Sequence, residues 1–255
     1  MFIDINVTVD KIATWQDALG VKLPKPLTDL LAVRDELAYV ETSHEPVIDV
    51  SRVKPANVAD EVEAVARELA VKAERFEARS RLLSALNRKI LHAATAAVPD
   101  VIEQLTPVFG QAAHTYADAV AKLPEELSSD SLVVAGPDAL AAFGAAVEAA
   151  KHLAAVDQWL AGLSQLPGYA AEAHPALRVC APSDYQQMHT LLTAHNAAGT
   201  VDPLVREVGP VYLAAARAGA GFEILTPAES VELRRELEAS KPESPAQKFL
   251  GIGRR

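Results

Sequence analysis

Apolar residues recur every seven positions between residues 58 and 90. This stripe consists of Val62, Leu69, Phe76, Leu83 and Ile90. A seven-residue apolar repeat is typical of a helix that packs along its length against another helix. Neither glycine nor proline occurs between residues 56 and 98. The pattern therefore predicts one long helix of about 40 residues, which would extend about 60 Å at 1.5 Å per residue.

The rows beside the stripe leave its partner open. The row three residues after each stripe position contains two basic residues, Lys72 and Arg79, which are unfavourable in a dimeric seam. The row on the other flank has small side chains, namely Ala66, Ala73 and Ser80. A row of large side chains beside a row of small ones favours close packing against a partner helix. That helix belongs either to the same chain, as a hairpin, or to another copy or partner.

Two prolines suggest how the chain continues after the long helix. Pro99 is expected to end it and to begin a second amphipathic helix that reaches Leu123, and Pro107 is expected to kink or break that second helix. The two helices would form a long helical hairpin over residues 55–123. Because the second helix is shorter, the outer end of the first, near Val58 to Leu69, must meet something else.

The N-terminal segment, residues 1–54, combines two kinds of pattern. Its opening letters, FIDINVTV, alternate apolar and polar residues, which predicts a short strand. The next letters, KIATWQDAL, have helical spacing and are followed by Gly20, a residue favoured just after a helix. A further helix is predicted over PLTDLLAVRDELAYV from its apolar spacing.

Residues 124–240 are predicted to form a helical core domain. After a linker, an Ala-rich helix over residues 138–165 carries few charges, so it is expected to pack on several sides. Two β-prone runs follow, each before a capping box, at Ser183 and Gln186 and at Thr226 and Glu229. Residues 241–255 form a predicted flexible tail. The fold class is therefore mainly α: a long helical hairpin and an Ala-rich bundle, with at most a few short strands in the N- and C-terminal parts.

Composition and charge narrow the classes of partner. The formal net charge is −10 and the pI is about 5.2, so binding to nucleic acid or to an anionic membrane is not expected. The single cysteine, Cys180, permits no intramolecular disulfide, which fits a reducing cytoplasm. The most apolar segment contains Glu148 and Lys151, so no membrane span is predicted. We expect a cytoplasmic protein, or one assembled into a particle made there.

Motifs that carry chemistry are absent from the sequence. It contains neither a GxSxG nucleophile motif nor a GxxxxGK[ST] phosphate-binding loop. The seven histidines show no metal-ligand spacing, and His114 with Asp118 is a helix-surface pair at i and i+4. No catalytic, cofactor-binding or metal-binding residue is predicted, no cofactor is expected, and an enzyme is not favoured.

The sequence thus favours a non-enzymatic structural or assembly protein that binds protein partners or itself through helices. A phage or prophage particle component is one concrete version. The candidate interface consists of the stripe and of two apolar tail residues, Phe249 and Leu250. The alternative is a small-ligand-binding protein or an enzyme with a pocket between helices.

Overall fold

The computed structural model describes residues 4–40 and 58–242, which are mainly helical. The helices there are α1 (Ile5–Ala13), α2 (Trp15–Leu19), α3 (Lys25–Ala38), α4 (Val58–Val120), α5 (Ser129–Ala135), α6 (Pro137–Leu163), α7 (Tyr185–Ala197), α8 (Pro203–Val208), α9 (Pro210–Ala218) and α10 (Pro227–Ala239), with a short 3-10 helix at Pro175–Leu177. Two short strands, β1 (Cys180–Ala181) and β2 (Gly221–Phe222), pair antiparallel. The predicted class, mainly α with a few short strands, is confirmed.

The chain divides into two compact units, and unit 1 consists of Met1–Ala13 and Leu23–Ala97. In unit 1, an ion pair joins α1 to α3, with 2.7 Å between Arg34 Nη2 and Asp10 Oδ1. The side chain of Asn87 on α4 donates to Oδ1 of Asn6 over 2.8 Å. The apolar residues buried in this unit are Val9, Ile12, Leu27, Ile90, Ala94 and Ala97.

Unit 2 consists of Thr14–Lys22 and Val98–Arg255. Its α6 is the predicted Ala-rich core helix, and it buries residues on most of its length. Trp159 on α6 meets Trp15 of α2 edge to face, with 5.7 Å between the ring centroids. The buried residues of α6 are Ala139, Ala142, Ala146, Ala149, Ala150, Leu153, Val156, Trp159, Leu160 and Leu163.

By length and composition, α6 is the one helix in residues 4–40 and 58–242 that could cross a membrane. Its most apolar window has a mean hydropathy of 1.3, and 39% of that window is buried inside the structure. A single helix of this kind is weak evidence, because the core helix of a soluble protein meets the same test. This helix alone therefore does not identify the chain as a membrane protein.

The predicted break at Pro99 is wrong, and with it the hairpin over residues 55–123. One helix, α4, runs from Val58 to Val120 with Pro99 and Pro107 inside it. A proline inside a helix costs about 3 kcal/mol, mainly through a lost hydrogen bond and a steric clash. The helix nevertheless continues through both prolines because burial of its apolar side chains offsets this cost. Full burial of one large apolar side chain contributes roughly 1.5–3 kcal/mol. Four such residues flank the prolines with 5% exposure or less: Val98, Val101, Leu105 and Phe109.

The predicted N-terminal strand is also wrong, because residues 5–13 form helix α1. The backbone amide of Asn6 donates to Oδ1 of Asp4 over 2.9 Å at the start of this helix. A helix buries Val9 and Ile12 on one face and leaves Ile5 and Val7 exposed. The alternation that predicted a strand therefore belongs to a helix with two solvent-facing apolar residues.

In residues 124–240, the strand pair and one of the two capping boxes are confirmed, whereas the predicted tail lies almost entirely outside the described residues. Cys180 pairs with Phe222 in the two-stranded sheet, as the two β-prone runs suggested. Thr226 and Glu229 form the predicted capping box at the start of α10. At α7, the capping residue is Asp184 rather than Ser183, and its side chain accepts a hydrogen bond from the amide of Gln187. The predicted linker before α6 contains the short helix α5.

Replacing Arg79 by alanine is expected to loosen the last turn of α3. Arg79 donates hydrogen bonds to the backbone oxygens of Leu37 and Ala38, over 3.0 and 2.8 Å, where a cation complements the helix dipole. The substitution should reduce the local stability of this turn by about 1 kcal/mol. Hydrogen exchange of its backbone amides should then become about fivefold faster. Arg81→Ala is the control, because Arg81 pairs with exposed Glu77 of its own helix, so its loss should leave α3 unchanged. Equal exchange in the two variants would contradict this role.

Candidate functional site

The first part of α4 carries large apolar side chains that the rest of the described chain leaves uncovered. We call residues 58–83 of α4 the arm. Along it, Val62 is 64% exposed, Leu69 50% and Phe76 61%. They lie on one side of the helix, because seven residues make almost two turns. Contiguous apolar surface of this kind marks interaction sites more often than scattered single residues do.

The apolar stripe becomes covered as it continues beyond the arm. Leu83 is half-buried, and Ile90 is fully buried in unit 1. Near this point Asn87 is buried and bonds to Asn6 of α1. The stripe therefore has two parts: one end belongs to the core of unit 1, while Val62, Leu69 and Phe76 face outward. The interface prediction for the tail residues, Phe249 and Leu250, lies outside the described residues.

The arm is helical despite its exposure because its sequence favours a helix locally. Arg67 pairs with Glu63, and Arg81 pairs with Glu77, each over 2.6 Å at i and i+4. Such exposed pairs contribute only about 0.2–0.5 kcal/mol each. Most helical stability in proteins comes from packing of an apolar face. An arm whose apolar face lacks a cover in the described chain is thus suited to gain stability from a partner.

Unit 2 contains a second noteworthy cluster, which is buried. Tyr116 of α4 is inaccessible, and its hydroxyl donates to the backbone oxygen of Val208 over 2.7 Å. Its ring meets the rings of Tyr212 and Phe222 edge to face. Beside them, Arg178 holds Asp157 with two hydrogen bonds of 2.7 and 3.2 Å. The cluster joins α4, α6, α9 and the strand region into one core.

Tyr116, Tyr212 and the neighbouring Cys180 are held in their neutral forms, whereas Asp157 and Arg178 form a charged pair. Burial, with a smaller effect of the Cys180 thiolate charge, raises the pKa of Tyr116. Burial and then the carboxylate of Asp157 raise the pKa of Cys180 and of Tyr212. A thiol is nucleophilic only as the thiolate, and Cys180 is fully buried as well. The cluster is therefore built for packing, and it offers no activated nucleophile.

The protein is expected to lose stability in alkali, starting near the ordinary thiol pKa of 9.0. The folded state keeps Cys180 protonated while the unfolded chain ionises, so stability is full below this pKa and falls as the pH rises above it. Tyr116 and Tyr212 add to the loss above 10.0. Urea unfolding midpoints measured across this range test the sign. In Cys180→Ala the decline should begin about one pH unit later; an unchanged onset would contradict the assignment.

The described part of unit 2 has open clefts, of which two lie beside its helices. One, of about 320 Å³, lies between α4 and α6 and has Gln111, Glu148 and His152 in its lining. The other, of about 450 Å³, lies among α7, α8 and α9, and its lining is apolar apart from Thr190 and Arg217. Arg217 donates to the backbone oxygen of Pro124 over 2.6 Å, so its guanidinium is partly engaged.

Three of the described histidines, His114, His174 and His195, form local pairs. The predicted surface pair is present, with 3.3 Å between His114 Nε2 and Asp118 Oδ2. His174 accepts a hydrogen bond from the amide of Ala176, and its ring lies edge to face with that of His195. Burial and then the neighbouring His195 lower the pKa of His174. Within residues 4–40 and 58–242, no three His, Cys, Asp or Glu side chains are grouped to hold a metal ion.

No family model matches the chain, and no curated protein or solved structure matches it either.

Sequence reasoning located the stripe but missed the buried cluster. The heptad spacing revealed Val62, Leu69 and Phe76 directly. Nothing in the local sequence connects Asp157 with Arg178, 21 positions away, or Tyr116 with Val208, 92 positions away. One signal in the sequence was usable. Few charged residues occur around α6, so Asp157 and Arg178 are expected to pair with each other.

Proposed function

We propose that this protein is a non-enzymatic assembly protein that associates through the arm. The observation that carries the proposal is the exposure of Val62, Leu69 and Phe76 along one side of a regular helix. Covering these side chains would gain roughly half of the 1.5–3 kcal/mol that full burial of each contributes. A helix laid along such a face is a recurrent mode of protein recognition.

The chemistry of the site supports this proposal over catalysis. The exposed face of the arm combines apolar residues with paired charges, among them Glu63 with Arg67 and Glu77 with Arg81. An apolar centre with a charged rim is the composition of a protein interface. Tyr116, Tyr212 and Cys180 are held neutral, which is unsuited to acid–base work near neutral pH. A role in a phage particle stays a prediction.

The test is photo-crosslinking inside the organism that makes the protein. A photoreactive amino acid at Phe76 should give a discrete covalent adduct with a protein. The matched control is the same amino acid at Ala78, which is also exposed but faces away from the stripe. Absence of an adduct at position 76, or equal adducts at both positions, would overturn the proposal. The mass of the adduct distinguishes a second copy of this chain from another protein.

A second candidate function is small-molecule binding in the cleft among α7, α8 and α9. Its volume of about 450 Å³ falls within the range of ligand pockets, and its mainly apolar lining has the hydroxyl of Thr190 and the cation of Arg217 as polar groups. A bound ligand would raise the melting temperature of the wild type. The same ligand should have less effect on a Leu213→Trp variant, in which the cleft is filled. A library of amphipathic carboxylates that gives no shift would remove this candidate.

A further inference from the structure

We infer that the partner of the arm is a second copy of this chain, aligned parallel and in register. The inference rests on the proposed function and names its partner. In a heptad frame with the stripe at position d, the small row falls at position a. Position d holds Val62, Leu69, Phe76 and Leu83, and position a holds Ala59, Ala66, Ala73 and Ser80. Positions a and d face the partner helix in a coiled coil, and small residues at a leave room for the large side chains at d.

The flanking charges select the parallel orientation. Position e holds Glu63, Ala70 and Glu77, whereas position g holds Val65, Lys72 and Arg79, so acids occur at e and bases at g. In a parallel pair, g faces e of the other helix, so Lys72 of one copy meets Glu77 of the other. In an antiparallel pair, e faces e and g faces g, so acids meet acids and bases meet bases. Charges at e and g set the orientation and choice of partner in this way.

The packing of unit 1 sets the extent of the paired region. Asn87 would continue the small row at position a, but it is buried and bonded to Asn6 of α1. Arg79 is also engaged, because it donates to the backbone oxygens at the end of α3. The paired region therefore begins near Ala59 and ends near Leu83. Because it is only a few heptads long, association should depend on protein concentration.

Engineered cysteines at position a test this arrangement. Ala66→Cys and Ala73→Cys are each expected to give a disulfide-linked homodimer under mild oxidation, because in-register helices place both pairs side by side. Ala78→Cys lies on the far side and is the control. We expect cross-linking at positions 66 and 73 to exceed that at 78 by at least about tenfold, owing to the high effective concentration of paired thiols. Native Cys180 is buried and should not contribute.

Each other outcome overturns the inference. Antiparallel pairing brings identical residues together at one point only, so it would link position 66 or 73 but not both. Equal cross-linking at positions 66, 73 and 78 would indicate random collision. If positions 66 and 73 both fail while the photoreactive group at position 76 captures a protein of different mass, the second copy is excluded and the proposed function stands. Circular dichroism of each variant confirms that the exposed substitutions leave the helices intact.

Discussion

Replacing Tyr116 by alanine is expected to lower the free energy of unfolding of unit 2 by about 4 kcal/mol, since loss of a large buried aromatic side chain leaves a cavity. Tyr116 is inaccessible and touches the rings of Tyr212 and Phe222. Urea unfolding followed by tryptophan fluorescence measures this directly. Both tryptophans of the chain, Trp15 and Trp159, are buried in unit 2.

Two control variants separate packing from hydrogen bonding at this position. Tyr116→Phe keeps the ring and removes only the hydroxyl that donates to Val208, so it should cost about 1–3 kcal/mol. Tyr39→Ala changes a tyrosine that is 86% exposed in unit 1 and should leave the transition unchanged. A Tyr116→Ala cost below about 1 kcal/mol would contradict the assignment of Tyr116 to the core, because surface substitutions usually have effects of that size.

Removal of Arg178 is the second change with a large expected effect. Its side chain is 14% exposed and that of Asp157 is 21% exposed. Arg178→Ala would leave the Asp157 carboxylate without its cation in a poorly solvated position, at a cost of about 3 kcal/mol. Arg178→Lys retains the charge but loses the two-pronged geometry, so the loss should be smaller. Urea unfolding followed by tryptophan fluorescence again reports on unit 2.

An exposed ion pair provides the control for this prediction. On α6, Nζ of Lys151 lies 2.6 Å from Oε1 of Glu148, but the two side chains are 65% and 70% exposed. Lys151→Ala should therefore change stability by less than about 1 kcal/mol. If Lys151→Ala and Arg178→Ala cost the same, burial does not determine the value of these pairs, and the Asp157–Arg178 contact has no special structural role.

The features that the sequence predicted well depend on residues close together in the chain. Gly20 ends α2 with a positive φ of 66°, as expected of a residue just after a helix. The capping box of Thr226 and Glu229 spans only three residues and is present. Such signals can be interpreted from sequence because the groups that form the hydrogen bonds are close together in the chain. They do not depend on how distant segments pack.

The failed predictions depend on packing. Pro99 is a strong local signal for a helix end, yet α4 continues because Val98, Val101 and other neighbours are buried on the same helix. The alternation at the N-terminus predicted a strand, but the helix α1 buries Val9 and Ile12 instead. Local propensity is a weak prior that tertiary contacts override.

The candidate site was predicted in part for the same reason. Its period came directly from the sequence, so the row of Val62, Leu69 and Phe76 was identifiable in advance. Whether each member is covered depends on contacts distant in sequence, such as that between Asn87 and Asn6, which are 81 positions apart. Ile90 therefore belongs to the core of unit 1, whereas Phe76 faces outward.

The most direct test of the central claim is the absolute mass in solution, measured by light scattering over a wide range of concentration. We expect the mass of the wild type to rise with concentration from the 27.1 kDa of one chain to twice that value. A Leu69→Lys, Phe76→Lys double variant should remain at 27.1 kDa throughout, because charges in the seam oppose its burial. A wild-type mass of one chain at every concentration would contradict pairing of the arm with a second copy.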